Sequence, residues 1–192
     1  MYFSGIKIKK NTKSCAGFTL IELIVSISII AMMSGLFLTN YHSTNKTSEL
    51  RMTAQKLASD LRLAQNYSLG SKEYGGNMPA GGWGVHLDRV ASPNSYIIFA
   101  DSDGNKQYDS GEGDADKGGL VVALPAGVSV KEINVSSPID FIDITFLPPD
   151  PMTNIWDGSN THNLVDIILS EDSSNTTKTV EVNFFGLIEE KE

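Results

Sequence analysis

The chain has 192 residues, a formal net charge of −8 at pH 7 and an isoelectric point near 4.8. Nucleic-acid binding uses lysine and arginine to neutralise phosphates, so this excess of acid argues against a nucleic-acid partner. The chain has a single cysteine, Cys15, so it can form no intrachain disulfide. The length beyond residue 38 is that of one globular domain.

The first 17 residues form a basic leader with no acidic residue. Its cations are Lys7, Lys9, Lys10 and Lys13. Because positive charge stays on the cytoplasmic side of a membrane, we expect residues 1–17 to lie in the cytoplasm and everything after Leu38 to be exported. A lipoprotein signal is excluded because its apolar segment precedes the lipidated cysteine, whereas Cys15 comes before the apolar segment.

An apolar segment runs from Phe18 to Leu38 and contains one acid, Glu22. At roughly 1.5 Å per residue it is long enough to cross a membrane. It exceeds the apolar region of about 7–15 residues in a secretory signal, and no A-x-A-like cleavage site follows it. A carboxylate in such a segment costs a few kcal/mol, so Glu22 indicates a function that a plain membrane anchor does not need.

The run Gly17-Phe18-Thr19-Leu20-Ile21-Glu22 resembles the class III signal of type IV pilins and type II secretion pseudopilins. That signal has a glycine, an apolar residue that is usually phenylalanine, and then T-L-[IV]-E. The resemblance implies that a prepilin peptidase cuts between Gly17 and Phe18 and methylates the Phe18 amine. It also implies three further partners: other pilin or pseudopilin subunits, an inner-membrane assembly platform, and membrane lipid.

Glu22 has two interpretations. When apolar helices bundle in a filament core, a buried carboxylate must be paired, and the Phe18 amine of a neighbouring subunit would pair with it and set the axial register. Alternatively, Glu22 reaches the membrane interface or stabilises the first helical turn, where the helix dipole favours an acid. Both interpretations can hold before assembly.

An amphipathic helix is predicted from Thr47 to Leu69, with apolar residues at spacings of three and four. The apolar positions are Leu50, Ala54, Leu57, Leu61 and Ala64. No proline or glycine separates this segment from residue 38, so the sequence predicts one long helix from Phe18 to about Ser68, ending at Leu69-Gly70. Residues 18–38 are its membrane or assembly part, and residues 39–70 are its amphipathic continuation.

Residues 71–192 are predicted to form an exported β-rich domain that begins with a loop at 74–84. The predicted strands are Trp83–Leu87, Ser95–Ala100, Leu120–Leu124, Val128–Val135, Phe141–Phe146, Leu164–Leu169 and Thr179–Phe184. Alternation in several of them favours antiparallel strands with one solvated face, and residues 170–178 read as a hairpin turn. The predicted fold is α+β and pilin-like: the hydrophobic half of the helix lies in the membrane or filament core, and the amphipathic half packs on a C-terminal antiparallel sheet.

Four segments in this order are similar to the type II secretion pseudopilin H and FimT-like (GspH/FimT) minor pilins. They are the helix stripe Leu57–Ala64, the strand at Gly82–Val85, the turn Phe99–Asn105 and a final strand ending at Gly186. Residues 138–162 match no part of that subgroup. The DNA-binding members have a basic C-terminal region, whereas this chain ends in FFGLIEEKE, which argues against DNA uptake.

An acidic loop follows the second predicted strand. Its oxygen-bearing side chains occupy positions 1, 3, 5, 7, 9 and 12 of a calcium loop: Asp101, Asp103, Asn105, Gln107, Asp109 and Glu112. Calcium is the one cofactor that the sequence suggests. Position 6 holds Lys106 where calcium loops carry a turn glycine, and no helices flank the loop, so a helix-loop-helix EF-hand is excluded. The alternative is a solvated, acid-rich turn.

We expect no enzymatic activity, because the sequence has no nucleophile elbow, phosphate-binding loop or dinucleotide motif. His86 reads as a sheet residue, and His162 with Asp157 and Asp166 forms a weak candidate metal group. Two function classes remain. The first is a minor pilin or pseudopilin that joins a pilus-like or type II secretion filament; the second is a membrane-tethered calcium-binding or recognition domain with no filament role. Glu22 favours the first, because a tether does not need it.

Overall fold

The computed structural model describes residues 17–113, 119–148, 152–172 and 176–191, with side chains described outside 38–45. The predicted leader up to residue 16, including Cys15, lies outside these residues. The chain forms two compact units, of which the first ends at Tyr41 and the second spans His42–Glu192.

Helix α1 spans Leu20–Leu69, close to the bounds predicted from the sequence. Thr19 caps its N-terminus: the Thr19 hydroxyl accepts a hydrogen bond from the Glu22 N–H at 3.3 Å. At the other end the Gly70 N–H donates to the Asn66 carbonyl at 2.8 Å, and the next residue, Ser71, has a φ of +50°. This left-handed residue ends the helix at the predicted position.

The strands of the second unit form two antiparallel sheets. In chain order they are β1 (Gly82–Asp88), β2 (Ser95–Asp101), β3 (Leu120–Ala123), β4 (Val128–Asn134), β5 (Pro138–Ile139), β6 (Phe141–Leu147), β7 (Met152–Trp156), β8 (Thr161–His162), β9 (Leu164–Glu171), β10 (Thr177–Asn183) and β11 (Ile188–Lys191). The first sheet has the order β3-β2-β1-β6-β7-β8, and the second has the order β11-β10-β9-β4-β5. The predicted α+β, pilin-like architecture is confirmed.

The predicted apolar stripe of α1 forms the centre of the hydrophobic core. Its five residues, Leu50, Ala54, Leu57, Leu61 and Ala64, are fully buried. The stripe shares one core with Trp83 of the first sheet and Val180 of the second. Polar contacts fix the helix against both sheets, because the Tyr96 hydroxyl donates to Asp60 at 2.5 Å and the Arg62 guanidinium donates to the Ile188 carbonyl at 2.7 Å.

Two sequence predictions need correction. The predicted final strand does not end at Gly186, because β10 ends at Asn183, Phe184–Gly186 form a turn, and β11 follows. Strand β1 begins at Gly82, inside the predicted loop, because its ladder with β2 extends to Gly82, which pairs with Asp101. The segment 138–162, which matches no part of the resembling subgroup, contains the predicted strand Phe141–Phe146 as β6 and also forms β5, β7 and β8.

The predicted alternation is confirmed in β4 and β10 of the second sheet, whereas β1, β2 and β6 at the centre of the first sheet are buried on both sides. The loop after β2 covers the face opposite α1. Its Tyr108 ring lies 4.7 Å from the His86 ring and 5.5 Å from the Phe99 ring, between centroids. The acidic loop is therefore part of the packed structure.

Candidate functional site

The N-terminal segment presents a peptide bond next to a capped helix. Gly17 and Phe18 precede α1 and are exposed, Phe18 with 80% of its surface accessible. A Cβ on Gly17 would meet no other atom within 4 Å. The Gly17–Phe18 bond is therefore accessible to an enzyme.

Thr19 and Glu22 have the spacing of a capping box, in which an N-cap threonine is followed three residues later by a glutamate. Glu22 lies in the first turn of α1, where the helix dipole favours its charge. From Leu20 to Phe37 no side chain is buried, and the segment is long and apolar enough to cross a membrane. The contacts described for Glu22 lie within the first two turns of its own helix.

The acidic loop begins at Asp101, the last residue of β2, which is fully buried. One Asp101 oxygen accepts the Gly104 N–H at 2.7 Å, and the other accepts the Lys106 N–H at 2.8 Å. A Cβ on Gly81 would lie 1.7 Å from an Asp101 carboxylate oxygen. Gly81 is thus required to leave room for this carboxylate.

Glu112 closes the loop from its far end. Its two carboxylate oxygens accept the Ser102 N–H at 2.7 Å and the Asp109 N–H at 3.0 Å, and only 7% of the residue is exposed. Oxygens of Asp101, Asp103 and Glu112 lie within 4.8 Å of one another. Hence the structure brings together three of the six residues predicted as calcium ligands.

The other three predicted ligands lie on the exposed side of the loop. The Asn105 amide donates to Asp103 at 3.1 Å and to Asp109 at 2.6 Å. The Gln107 N–H donates to the Asn105 side-chain oxygen at 2.7 Å. These hydrogen bonds link Asn105 to Asp103, Gln107 and Asp109 within the loop.

Lys106 occupies position 6 of the loop, where calcium loops carry a turn glycine. Its backbone nevertheless adopts the conformation that glycine would have there. Its φ is +68°, in the left-handed region that glycine adopts at little cost. The bond from its N–H to Asp101 holds this turn in place. The lysine therefore does not prevent the sharp turn that a calcium loop requires.

Burial raises the pKa of Asp101 and of Glu112, and backbone N–H donors oppose the rise only in part. Among the described residues, no ion pair joins a cation to Asp101, Asp103 or Glu112. A divalent cation would supply the missing positive charge, and carboxylate oxygens are the ligands that calcium prefers.

Comparison with known proteins identifies the N-terminal segment. Residues 12–38 match the family described as the prokaryotic N-terminal methylation motif. The motif places this segment with those of the type IV pilin and pseudopilin class, whose subunits a prepilin peptidase processes. No curated protein and no solved structure matches the chain.

The N-terminal methylation motif covers the Gly17–Phe18 bond, Glu22 and the apolar part of α1, but none of the β domain. With this apolar helix, it fits a chain anchored in a membrane at its N-terminus. The class to which this motif belongs is structural and assembles from subunits.

The two histidines whose side chains the structure describes, His86 and His162, have local partners. His86 Nδ1 lies 2.6 Å from the buried Asp143 carboxylate on the neighbouring strand, as expected of a sheet residue. His162 Nε2 lies 2.7 Å from Asp157, but Asp166 is on β9 of the other sheet, beside Glu181. The predicted metal group of His162, Asp157 and Asp166 is therefore wrong. Within the described ranges, Asp101, Asp103 and Glu112 form the one cluster of this kind.

Sequence reasoning missed the residues that support these sites. Gly81 was read only as a loop residue, and Lys106 only as a departure from a motif. The signal for Gly81 is its place in Gly81-Gly82 directly before a buried strand, since a glycine there often marks a close backbone approach.

Proposed function

We propose that this chain is a minor pilin or pseudopilin subunit. In this proposal a prepilin peptidase cleaves it between Gly17 and Phe18 on the cytoplasmic side and methylates the Phe18 amine. The processed chain stays in the inner membrane through its apolar helix, with residues after Leu38 outside the cytoplasm. An inner-membrane assembly platform then moves it from the lipid into a pilus-like or type II secretion filament.

The observation that carries the proposal is the capped start of α1 within the methylation motif. The exposed Gly17–Phe18 bond is immediately followed by Thr19, which caps the helix, and by Glu22 in the first turn. A membrane anchor alone needs neither a cleavable glycine nor an acid at this place. In a filament, Glu22 would pair with the Phe18 amine of a neighbouring subunit and set the register.

The proposal extends to the pseudopilin H and FimT-like minor pilins. It rests on the order of segments along the chain: the apolar stripe of α1, the Gly82-Trp83-Gly84 strand and the acidic turn after β2. The net charge of −8 favours a role in filament structure or secretion over DNA uptake.

We further propose that the acidic loop binds calcium through Asp101, Asp103 and Glu112, with Asn105, Gln107 and Asp109 completing the shell. The support is the close approach of three carboxylates, of which Asp101 and Glu112 are buried with no cationic side chain paired to them among the described residues. Bound calcium would stabilise a domain that has no disulfide. The same site is central to the second candidate function, a membrane-tethered calcium-binding or recognition domain with no filament role.

One experiment separates the two functions. The chain, tagged at its C-terminus, is produced in a bacterium with a working pilus or type II secretion machine, with and without its prepilin peptidase. If the chain is a subunit, the cleaved form appears in sheared filaments only when the peptidase is present. Cleaved chain that stays in the membrane fraction while other subunits assemble would support the tethered domain instead.

A further inference from the structure

A cavity of about 250 Å³ lies between the acidic loop and the β6–β7 pair of the first sheet. Lys106 of the loop lines one side, and Thr145 and Asn154, which face each other across β6 and β7, line another. Leu147 and Met152 supply apolar walls and are partly exposed. The cavity combines one cation, polar groups and apolar surface, which is the usual composition of a small-ligand site.

One polar group at this cavity lacks a partner. The Asn154 side-chain nitrogen is buried and makes no hydrogen bond to a described residue. Asn154 lines the cavity on the same face of the β6–β7 pair as Thr145, Leu147 and Met152. Buried donors without acceptors are rare because leaving them unpaired costs free energy, so such a group in a cavity indicates an acceptor that binds there.

Within the described part of the chain, the Lys106 ammonium has no ion-pair partner, although Lys106 lies in an acidic loop. Neither Asp103 nor Asp109 forms an ion pair with it, and in the part of the chain that the structure describes no other carboxylate does. The carboxylates of Asp103 and Asp109 instead accept hydrogen bonds from Asn105. The ammonium group is therefore free to meet an anion at the cavity.

The backbone of Lys106 supports a role for its side chain. Its φ of +68° is strained for a residue with a Cβ, and glycine would adopt it at less cost. Asp101 holds this conformation through the Lys106 N–H, which needs no lysine side chain. A function for that side chain at the cavity explains why the strained position carries a lysine.

We propose that this cavity binds a carboxylate carried on a short apolar body. The Lys106 ammonium and the Asn154 amide donate to the carboxylate, and Leu147 and Met152 contact the apolar part. A free short-chain acid and the C-terminal carboxylate of a peptide share this chemistry. The site is separate from the N-terminal motif, so it does not depend on the proposed filament function.

Calorimetric titration of the full chain in detergent tests the proposal with four probes. These are hexanoate, its neutral counterpart hexanamide, and the peptide Ala-Leu-Leu with a free or an amidated C-terminus. Hexanoate or the free peptide should bind, and the neutral counterparts should not. Tighter binding of hexanoate identifies a free acid as the ligand, and tighter binding of the peptide identifies a protein C-terminus. Failure of both carboxylates to bind would overturn the proposal.

Variants locate the binding. Lys106→Met should weaken it by about tenfold or more, the loss expected for one charge-assisted hydrogen bond. Lys131→Met is the matched control, because Lys131 is an exposed lysine on β4 of the other sheet, and it should change nothing. Lys106→Gly should raise the melting temperature and weaken binding as much as Lys106→Met does, which distinguishes a lost ligand contact from a damaged fold. Unchanged affinity in Lys106→Met would also overturn the proposal.

Discussion

The Ser68 hydroxyl accepts a hydrogen bond from the backbone N–H of Trp83 at 2.6 Å. The same hydroxyl lies 3.4 Å from the Trp83 carbonyl, to which it donates. Ser68 is in the last turn of α1 and Trp83 is in β1, and both are buried. One side chain therefore joins the end of the helix to the central strand of the first sheet.

Replacing Ser68 with alanine leaves the buried Trp83 N–H without this acceptor. We expect Ser68→Ala to lower the free energy of unfolding by about 1–3 kcal/mol. Urea denaturation of the full chain in detergent, followed by tryptophan fluorescence, measures it. Ser59→Ala, at an exposed position of the same helix, should stay within about 0.5 kcal/mol of the parent chain. Equal stability of the two variants would show that water or another group replaces Ser68.

Processing should depend on the small size of Gly17. We expect a mature protein that begins at methylated Phe18, poor cleavage of Gly17→Ala and no cleavage with bulkier residues, because a side chain obstructs the peptidase at this step. Mass spectrometry of protein co-produced with the peptidase measures the new N-terminus. Gly35→Ala, inside the apolar part of α1, is the control and should be cleaved normally. An intact leader in assembled material would contradict the prediction.

Assembly should depend on Glu22. Glu22→Ala should insert into the membrane more favourably by a few kcal/mol, since a charge leaves the apolar segment, and should be cleaved normally. Its incorporation into filaments should fall, because the polar partner that sets register is lost. The fraction of chain in sheared filaments measures this. Glu49→Ala removes an exposed acid from the second unit of the chain and should assemble as the parent does; equal incorporation of both variants would reduce Glu22 to a helix-capping role.

Calcium should stabilise the fold through the acidic loop. At a hundredfold excess over Kd, binding adds about 2.7 kcal/mol, which raises the melting temperature of a chain this size by several degrees. Magnesium should have a smaller effect because it requires stricter octahedral geometry. Asp101→Ala combined with Asp103→Ala should remove the calcium response. The pair Asp172→Ala and Glu190→Ala removes two exposed acids elsewhere and should retain it. If both double variants still gain stability from calcium, other acidic residues bind the ion.

The calcium effect should decrease with acidification. Burial raises the pKa of Asp101 and Glu112 in the folded state, so the folded chain binds more protons than the unfolded chain between the ordinary and the raised pKa. Without metal, the contribution of these groups to the free energy of unfolding therefore falls as pH rises through that interval. Calcium needs ionised ligands, so its stabilisation should shrink as the pH falls through the raised pKa values of Asp101 and Glu112. Melting curves with and without calcium test this; a constant calcium shift would contradict it.

Local sequence patterns determined the helix, its buried stripe and most strands. Apolar residues at helical spacing predicted the buried face of α1, and all five stripe residues are fully buried. The short run from Gly17 to Glu22 predicted the processing motif that the family comparison supports. Such patterns succeed because each reflects contacts within a few residues along the chain.

Only the tertiary structure decided which side chains lie together when they are far apart in the sequence. The short strands β5, β7, β8 and β11 were not predicted, although each pairs with a strand next to it in the sequence, because two to five residues are too few to show a clear alternating pattern. The separation of Asp166 from His162 follows from the division of the strands into two sheets. Lys106 was read as a defect because its residue type disfavours a left-handed turn; the buried Asp101 carboxylate, fixed against Gly81, holds that turn.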